Sequence, residues 1–275
     1  MSDKSVAQGS AVRHHADGGS ETLEESIVVE EPLELRISGD TFAITMRTPG
    51  HDRELAAGLL LSEGLIASAA DLGGIAHCGR PGDEGYGNTL DVTAAPGTVL
   101  DGERVALARR GTLMSASCGV CGRRSIDDLM ARVGPIEDAS RFERAVLAEL
   151  TARLRAEQPV FAKTGGLHAA GVADARGNWL VVREDVGRHN AVDKVVGRLL
   201  LDGALPARGQ LLVVSGRTSF EIVQKAVVAG FPAVVAVSAP TSMAVATAER
   251  AGLTLLGFSR QGAFNVYSGS ERIAG

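Results

Sequence analysis

Aromatic side chains are scarce in this 275-residue chain: seven Phe, two Tyr and one Trp, 4% of all residues. Single-stranded nucleic acid is held largely on stacked rings, so that class of surface is not expected. Basic excess is also lacking. Twenty-eight Lys and Arg stand against 33 Asp and Glu, a formal net charge of −5, which removes the electrostatic footprint of a general DNA or RNA binder. Long apolar runs are absent. The stretch Ala226 to Val237 is broken by Gly230 and Pro232, far short of the ~20 residues a membrane span needs. The first 25 residues are polar and hold no apolar segment of a secretory leader, so the chain is expected in the cytoplasm. Cysteine is limited to three residues, too few for a disulfide framework. In a reducing compartment they read as metal-binding, catalytic or inert.

What is present is ordinary for a globular protein: 45% hydrophobic and 22% charged residues. The length allows one large domain or two smaller ones and a core that needs no covalent staple. Glycine is abundant, 34 residues or about 12% against a usual ~7%, so loops defined by backbone geometry are expected to matter.

Residues 1–25 carry no periodicity and read as a disordered tail. From 26 to about 110 the pattern is that of a smaller β-rich region with one helix. Leu33, Leu35 and Ile37 alternate with Glu34 and Arg36, a turn follows at Ser38-Gly39-Asp40, and Phe42, Ile44 and Met46 alternate again, predicting a hairpin. Asp52 is placed to cap a helix running from Arg53 to Glu63, stopped by Gly64. Two short strands are expected within 73–94, around a glycine-rich loop. Residues 111–124 read as a mobile loop. Ser125 is placed to cap a helix with Asp127 and Asp128 in its first turn, and a second amphipathic helix spans about 140–157. From 125 to 275 an α/β core is expected. Strands fall near 169–174, 179–184, 210–214, 233–237 and 253–258, and helices at about 190–201, 219–229 and 242–251. That alternation predicts a mostly parallel sheet covered by helices.

The residues with the clearest chemistry are Cys118 and Cys121, in Ser117-Cys118-Gly119-Val120-Cys121-Gly122. Five arginines (104, 109, 110, 123 and 124) and no acidic residue lie between 104 and 124. Positive charge favours the reactive thiolate. Four readings stay open at this level. A structural zinc site would need four ligands, and only one Cys-x-x-Cys pair exists, though His77 and Cys78 could add to it. A thioredoxin-like redox pair would open a helix directly after a strand. Zinc deaminase chemistry lacks its upstream His-x-Glu and its Pro before the pair. A persulfide carrier needs a low-pKa thiolate on an accessible loop, and small neighbours (Ser115, Ala116, Ser117, Gly119) supply the access.

Other motifs stand in a fixed order along the chain. They are Arg47-Thr48-Pro49-Gly50-His51-Asp52, Glu54-Leu55-Ala56-Ala57-Gly58, Ser62-Glu63-Gly64, the cysteine pair, Thr164-Gly165-Gly166-Leu167-His168, Glu184 to Lys194, Ser215-Gly216-Arg217, Gln224-Lys225 and Gly257 to Gly262. Together, from about 27 to 270, they closely resemble the formate dehydrogenase accessory sulfurtransferase family (FdhD). The resemblance implies a sulfurtransferase. Its members take sulfur from a cysteine desulfurase and pass it to the bis-molybdopterin guanine dinucleotide cofactor of the formate dehydrogenase catalytic subunit. It also implies a three-layer α/β core similar to the cytidine deaminase fold, a homodimer, no resident metal, and Cys118 as the persulfide-bearing residue. Cys121 is implied either to displace sulfide from the Cys118 persulfide or to serve as an accessory thiol. The implied cofactor contacts are Phe258, Ser259, Arg260, Gln261, Gly262 and Ala263. Relatives often carry a basic residue where this chain has Ala263. A cofactor chaperone that moves no sulfur is the alternative function, and a zinc-stabilised binding protein a third.

Each remaining polar motif has a plain reading beside a functional one. His168 is either a loop histidine satisfied by backbone or a site residue. Asp185, His189 and Asp193 sit at a strand-to-helix junction, where ligands of α/β sheets bind. Alternatively His189 or Asn190 caps the helix and Asp193 with Lys194 forms a solvated face. Ser215 to Ser219 opens a helix and could cradle an anion, with Arg217 clamping phosphate. Cys78 reads as a buried, inert thiol.

Overall fold

The computed structural model describes residues 5–83, 86–98 and 122–275, with the side chains of 122–125 excepted. The chain opens on β1 (Val6–His14) and β2 (Ser20–Val28), an antiparallel ribbon in full register from Val6↔Val28 to His14↔Ser20. The expectation of a disordered tail is therefore corrected. Small and polar residues hide the strand period here, because the ribbon buries neither face against the core: Val12 and Ile27 are exposed. Its root is held by Val29 N–H donating to the Ser5 carbonyl (2.9 Å).

A four-stranded sheet follows, built of β3 (Glu31–Ile37), β4 (Asp40–Arg47), β5 (Leu72–His77) and β6 (Thr89–Ala94) in the order β4-β3-β6-β5. The predicted hairpin and the paired strands flanking the glycine loop are both present. Between β4 and β5 lies α1 (Asp52–Ser62). Ten of its eleven residues are buried, only Arg53 being turned outward. Gly64, at φ 73°, ends it. Asp52 is not its cap. His51 takes that position at φ 58°, while Asp52 is inside the helix and its carboxylate is claimed by Arg47 (3.0 and 3.1 Å).

The second half begins with α2 (Gly122–Val133), β7 (Phe142–Glu143), α3 (Arg144–Ala156) and α4 (Pro159–Thr164). α2 starts at Gly122, so Ser125 is not its cap and Asp127 and Asp128 lie beyond its first turn. Then come β8 (His168–Ala173), β9 (Trp179–Asp185), α5 (Arg188–Leu201), β10 (Leu211–Val214), α6 (Phe220–Val228), β11 (Ala233–Ala236), α7 (Ser242–Ala251), β12 (Thr254–Arg260), β13 (Ala263–Ser268) and β14 (Ile273–Ala274). β14 pairs with β7. Every strand and helix expected in this half forms within a few residues of its predicted bounds.

The six large strands order as β13-β12-β11-β10-β8-β9. Only β10, β11 and β12 run parallel; β8, β9 and β13 are antiparallel to their neighbours. The mostly parallel sheet is thus corrected to a mixed one. The reason is connection length: β8 and β9 are joined by a five-residue turn and β12 and β13 by two residues, too short for a crossover. Residues of the central strands alternate between two apolar layers. Leu211, Val213, Ala233, Val235 and Leu256 pack with Leu147, Leu150 and Leu154 of α3, whereas Leu212, Val214, Val234, Ala236 and Leu255 join α5, α6 and α7. The protein is mixed α/β, and the second layer continues through α1 into the small sheet as one core. Among the described residues no helix is long and apolar enough to cross a membrane.

The contact between α1 and α5 is unusually close. A Cβ on Gly58 would lie 2.0 Å from the Asp193 carbonyl oxygen, and one on Gly197 would lie 1.8 Å from that of Glu54. The glycine of Glu54-x-x-x-Gly58 is thus there to let two backbones touch.

Candidate functional site

Cys118 and Cys121 lie outside the described residues, as do positions 111–121 of the loop expected over 111–124; residues 122–124 are corrected to the first turn of α2. The described part of the site is the edge of the large sheet where β10, β11 and β12 have their carboxyl ends. Antiparallel pairing brings the start of β8 and the end of β9 to this same edge, His168 opposite Asp185. Five chain segments therefore converge there, the region outside strand ends where α/β sheets bind ligands.

Most of the segment Glu184 to Lys194 is spent on holding this edge together. The Glu184 carboxylate accepts the Val160 and Phe161 N–H groups of α4 (3.0 and 2.8 Å). Asp185, fully buried, accepts from Gly187 N–H and the Asn190 amide and pairs with Lys194 at 2.7 Å. Asn190 also donates to the Met46 carbonyl, and Lys194 to that of Thr48. Asp193 pairs with Lys225 at 2.6 Å and accepts from Ser62. Asp193 and Lys194 are 2% and 1% exposed, so the solvated face is corrected to an interior one. Lys194 is held by Asp185, nine residues back on β9, and Asp193 by Lys225, on α6 and 32 residues on. Neither His189 nor Asn190 caps α5; Gly187 occupies that position with no side-chain bond.

What remains available is basic. Arg188 is half-buried, with its Nε buried and without a hydrogen-bond partner among the described residues. A Cβ on Gly216 would lie 3.5 Å from Arg188 Cδ and 3.5 Å from His168 Nδ1, so both side chains border the Ser215–Ser219 turn. His189 Nε2 is 3.1 Å from Ser219 Oγ and 3.9 Å from the Glu221 carboxylate. Arg217 is exposed. Burial, then Arg188, holds His168 below the ordinary histidine range, with Asp185 opposing. His189 is driven to about 4 by burial, Arg188 and Lys225, against the pull of Glu221, so it is neutral at physiological pH. Burial raises the Asp193 carboxyl to about 6 despite Lys225.

The segment Phe258–Ala263 is a hairpin tip at this same edge. Gln261 and Gly262 have φ 54° and 76° and link the paired residues Arg260 and Ala263, as a two-residue primed turn requires. The register shifts between Gly257 and Arg260, and Phe258 has φ 51°, the mark of a bulge that redirects side chains. Phe258 is 38% exposed and Arg260 lies with its guanidinium 6.0 Å from the ring centre. Gln261, Gly262 and Ala263 are exposed. Ser259 faces the core, its carbonyl accepting from Thr151 Oγ1 at 2.6 Å. The tip is tied to the sheet by Phe258 N–H donating to Ser238 O (3.2 Å).

Cys78 is half-buried with a free thiol rather than buried. Sequence reasoning gave no role to Arg188 or to Arg47. Arg47, 1% exposed, bonds Asp52, Gly87 O and Asn88. The five-residue spacing to Asp52 was a usable signal for that pair. Arg188 had a weaker one, its place directly after a strand and before His189.

The fold and this edge define an α/β protein that gathers basic and glycine-rich turns where its parallel strands end, an architecture suited to anionic ligands. Comparison with known proteins makes the class specific. Residues 28–274 match the model of the FdhD/NarQ family. "Sulfur carrier protein FdhD" of Anaeromyxobacter dehalogenans strain 2CP-1 is 49% identical over 274 residues, 98% of this chain and 93% of the relative. The protein of the same name from Streptomyces avermitilis is 49% identical over 263 residues, 94% and 92% of the two chains. The crystal structure of a putative formate dehydrogenase accessory protein from Desulfotalea psychrophila superposes with a TM-score of 0.76 at 25% identity, covering 98% of this chain and 99% of that one. The chain belongs to the FdhD/NarQ family.

Proposed function

We propose that this protein is a sulfur carrier in formate dehydrogenase maturation, with Cys118 as the carrying residue. The observation that supports this most is a family match over nearly the whole chain that includes a cysteine pair set among five arginines and no acid. In the proposed first step the Cys118 thiolate attacks the outer sulfur of a persulfide on a cysteine desulfurase. The new S–S bond forms on Cys118 as the desulfurase leaves as its own thiolate. The arginines favour the thiolate needed for the attack. Cys118 thereby acts as a sulfurtransferase centre without consuming an oxidant or reductant in this step.

The acceptor is the bis-molybdopterin guanine dinucleotide cofactor, bound as a client and destined for the formate dehydrogenase catalytic subunit. The hairpin tip fits the guanine end of that client: Phe258 offers a ring face, Arg260 a charge, and Gln261 to Ala263 an unobstructed backbone. Ser259, facing the core, contributes through its main chain. The same reading places the protein in the cytoplasm, as a homodimer with a core of the cytidine deaminase-like kind.

Incubation with a cysteine desulfurase and cysteine, followed by peptide mass spectrometry, tests the proposal. The peptide holding Cys118 is expected to gain one sulfur, and Cys118→Ala to gain none. No added sulfur with a competent desulfurase and a reduced pair overturns it in favour of a cofactor chaperone.

A further inference from the structure

We infer that Thr151 of α3 is a positioning residue for the hairpin tip: its hydroxyl holds the β12 bulge in the shape that turns Phe258 outward. The residue is out of place where it stands. Leu147, Leu150, Thr151 and Leu154 form the buried stripe of α3, whose leucines pack on the large sheet, and that spacing favours apolar residues throughout. A serine or threonine hydroxyl inside a helix ordinarily turns back to the carbonyl four residues earlier, as those of Ser62, Thr164 and Thr247 do in this protein. Thr151 Oγ1 instead donates across the layer to the Ser259 carbonyl at 2.6 Å, with Ser259 Oγ 3.4 Å away. Thr151 is 6% exposed and Ser259 not at all.

The bond falls where the backbone most needs it. Between the pairs Gly257↔Asn265 and Arg260↔Ala263, Phe258 and Ser259 of β12 stand against Phe264 alone of β13, so the ladder is interrupted. On its other side β12 pairs with β11 only as far as Leu256. A buried carbonyl at such a gap is costly unless a donor reaches it. Phe258 itself has φ 51°, a left-handed conformation that a bulky residue keeps only where its surroundings hold it. It is held on both sides, its N–H by the Ser238 carbonyl at 3.2 Å and the carbonyl of the next residue by Thr151. Thr151, buried beneath the bulge, acts only through it. That the ring so presented receives a guanine rests on the proposed function; the hold on the tip does not.

Amide hydrogen exchange and calorimetric titration with guanosine diphosphate, both on the full chain, test the inference. Thr151→Val removes the hydroxyl and keeps the branched shape. Thr151→Ala removes it in a better helix former and serves if the valine variant folds poorly. Either is expected to speed exchange in residues 257–260 at least about tenfold, the scale of one unsatisfied buried carbonyl, with β10 and β11 unchanged. Guanosine diphosphate is expected to bind at least about fivefold more weakly. Thr151→Ser keeps the hydroxyl and is expected to stay within about twofold of wild type in both readouts. Added to Phe258→Ala, Thr151→Val is expected to weaken the diphosphate no further, since both act through one ring. Tip exchange unchanged, or raised equally in β10 and β11, overturns the inference, as do Thr151→Ser behaving like Thr151→Val and fully additive losses with Phe258→Ala. Faster tip exchange with undiminished diphosphate binding, or with none in the wild-type chain, upholds the hold of Thr151 and overturns the guanine reading of the tip.

Discussion

At the scale of single residues, charge is handled in two ways in this protein. Asp185 and Asp193 are fasteners. Each is buried, each faces a buried lysine, and together they tie β9 to α5 and α5 to α6. Removing one partner of such a pair leaves an uncompensated interior charge, at about 3–5 kcal/mol. Lys225→Met is expected to lose stability of that order in urea unfolding, and Asp193→Asn combined with Lys225→Met to lose clearly less than the two single losses added. Strict additivity would show that the pair is not coupled. His189 and His168 are of the other kind, held neutral beside arginines. An unfolded histidine takes its proton near 6.5, whereas native His189 takes it near 4. Between those values the unfolded chain holds more protons, so stability falls as pH drops from about 6.5 to 4. His189→Gln is expected to flatten stability against pH in that window, and an unchanged slope would contradict the assignment. Glu54 acts lower on the scale. Burial raises its carboxyl, but Arg183 and His51 pull harder and set it to about 2, so its stabilisation is present above about 4.5 and is lost as pH falls toward 2.

Elements show which parts of the sequence could be read directly. β10 and β11 are four-residue apolar runs buried on both faces, and nothing but a central strand fits that pattern. α5, α6 and α7 announce themselves by helical spacing. Strand direction was not legible in the runs themselves, because a buried strand looks alike in either sense. It was legible in the links, where Asp174 to Asn178 is too short for a crossover. The β1–β2 ribbon was invisible because its stability does not come from an apolar face. The α1–α5 contact is encoded in two glycines whose role appears only once the helices are placed. Gly58→Ala and Gly197→Ala each put a methyl into a carbonyl oxygen, which no rotamer change can relieve. Alanine is the better helix former by about 1 kcal/mol, yet each substitution is expected to overturn that gain and to cost more than the ~1–3 kcal/mol typical of overpacking, measured as a shift in urea midpoint. A neutral outcome would mean the helices separate at little cost.

Over the whole molecule, the small sheet, α1, α5 and the large sheet form one continuous core, so the N-terminal half serves as a brace for the ligand edge. Arg183 of β9 bonds Glu54 of α1 through two nitrogens (2.6 and 2.9 Å), and Asn190 and Lys194 bond β4 and its following turn. The candidate site was legible in part. The stretch Phe258–Ala263 and Arg217 were singled out in the sequence and lie at this edge, though the hairpin itself was not foreseen; the cysteine pair lies outside the described residues. The separation of Asp185 and Asp193 from Arg188 and His189 could not be read there, since all four lie within nine residues and only the pairing made in the fold, Asp185 with Lys194 and Asp193 with Lys225, tells fastener from ligand contact. As proposed, sulfur passes through Cys118 on its way to the dehydrogenase cofactor. The most direct test of this claim supplies a cysteine desulfurase with isotopically labelled cysteine, in the presence of this protein and cofactor-loaded, inactive formate dehydrogenase, and follows the label. The expected result is label on the cofactor together with formate oxidation when the wild-type chain is present, and neither with Cys118→Ala. Equal labelling and activity with Cys118→Ala would contradict the claim.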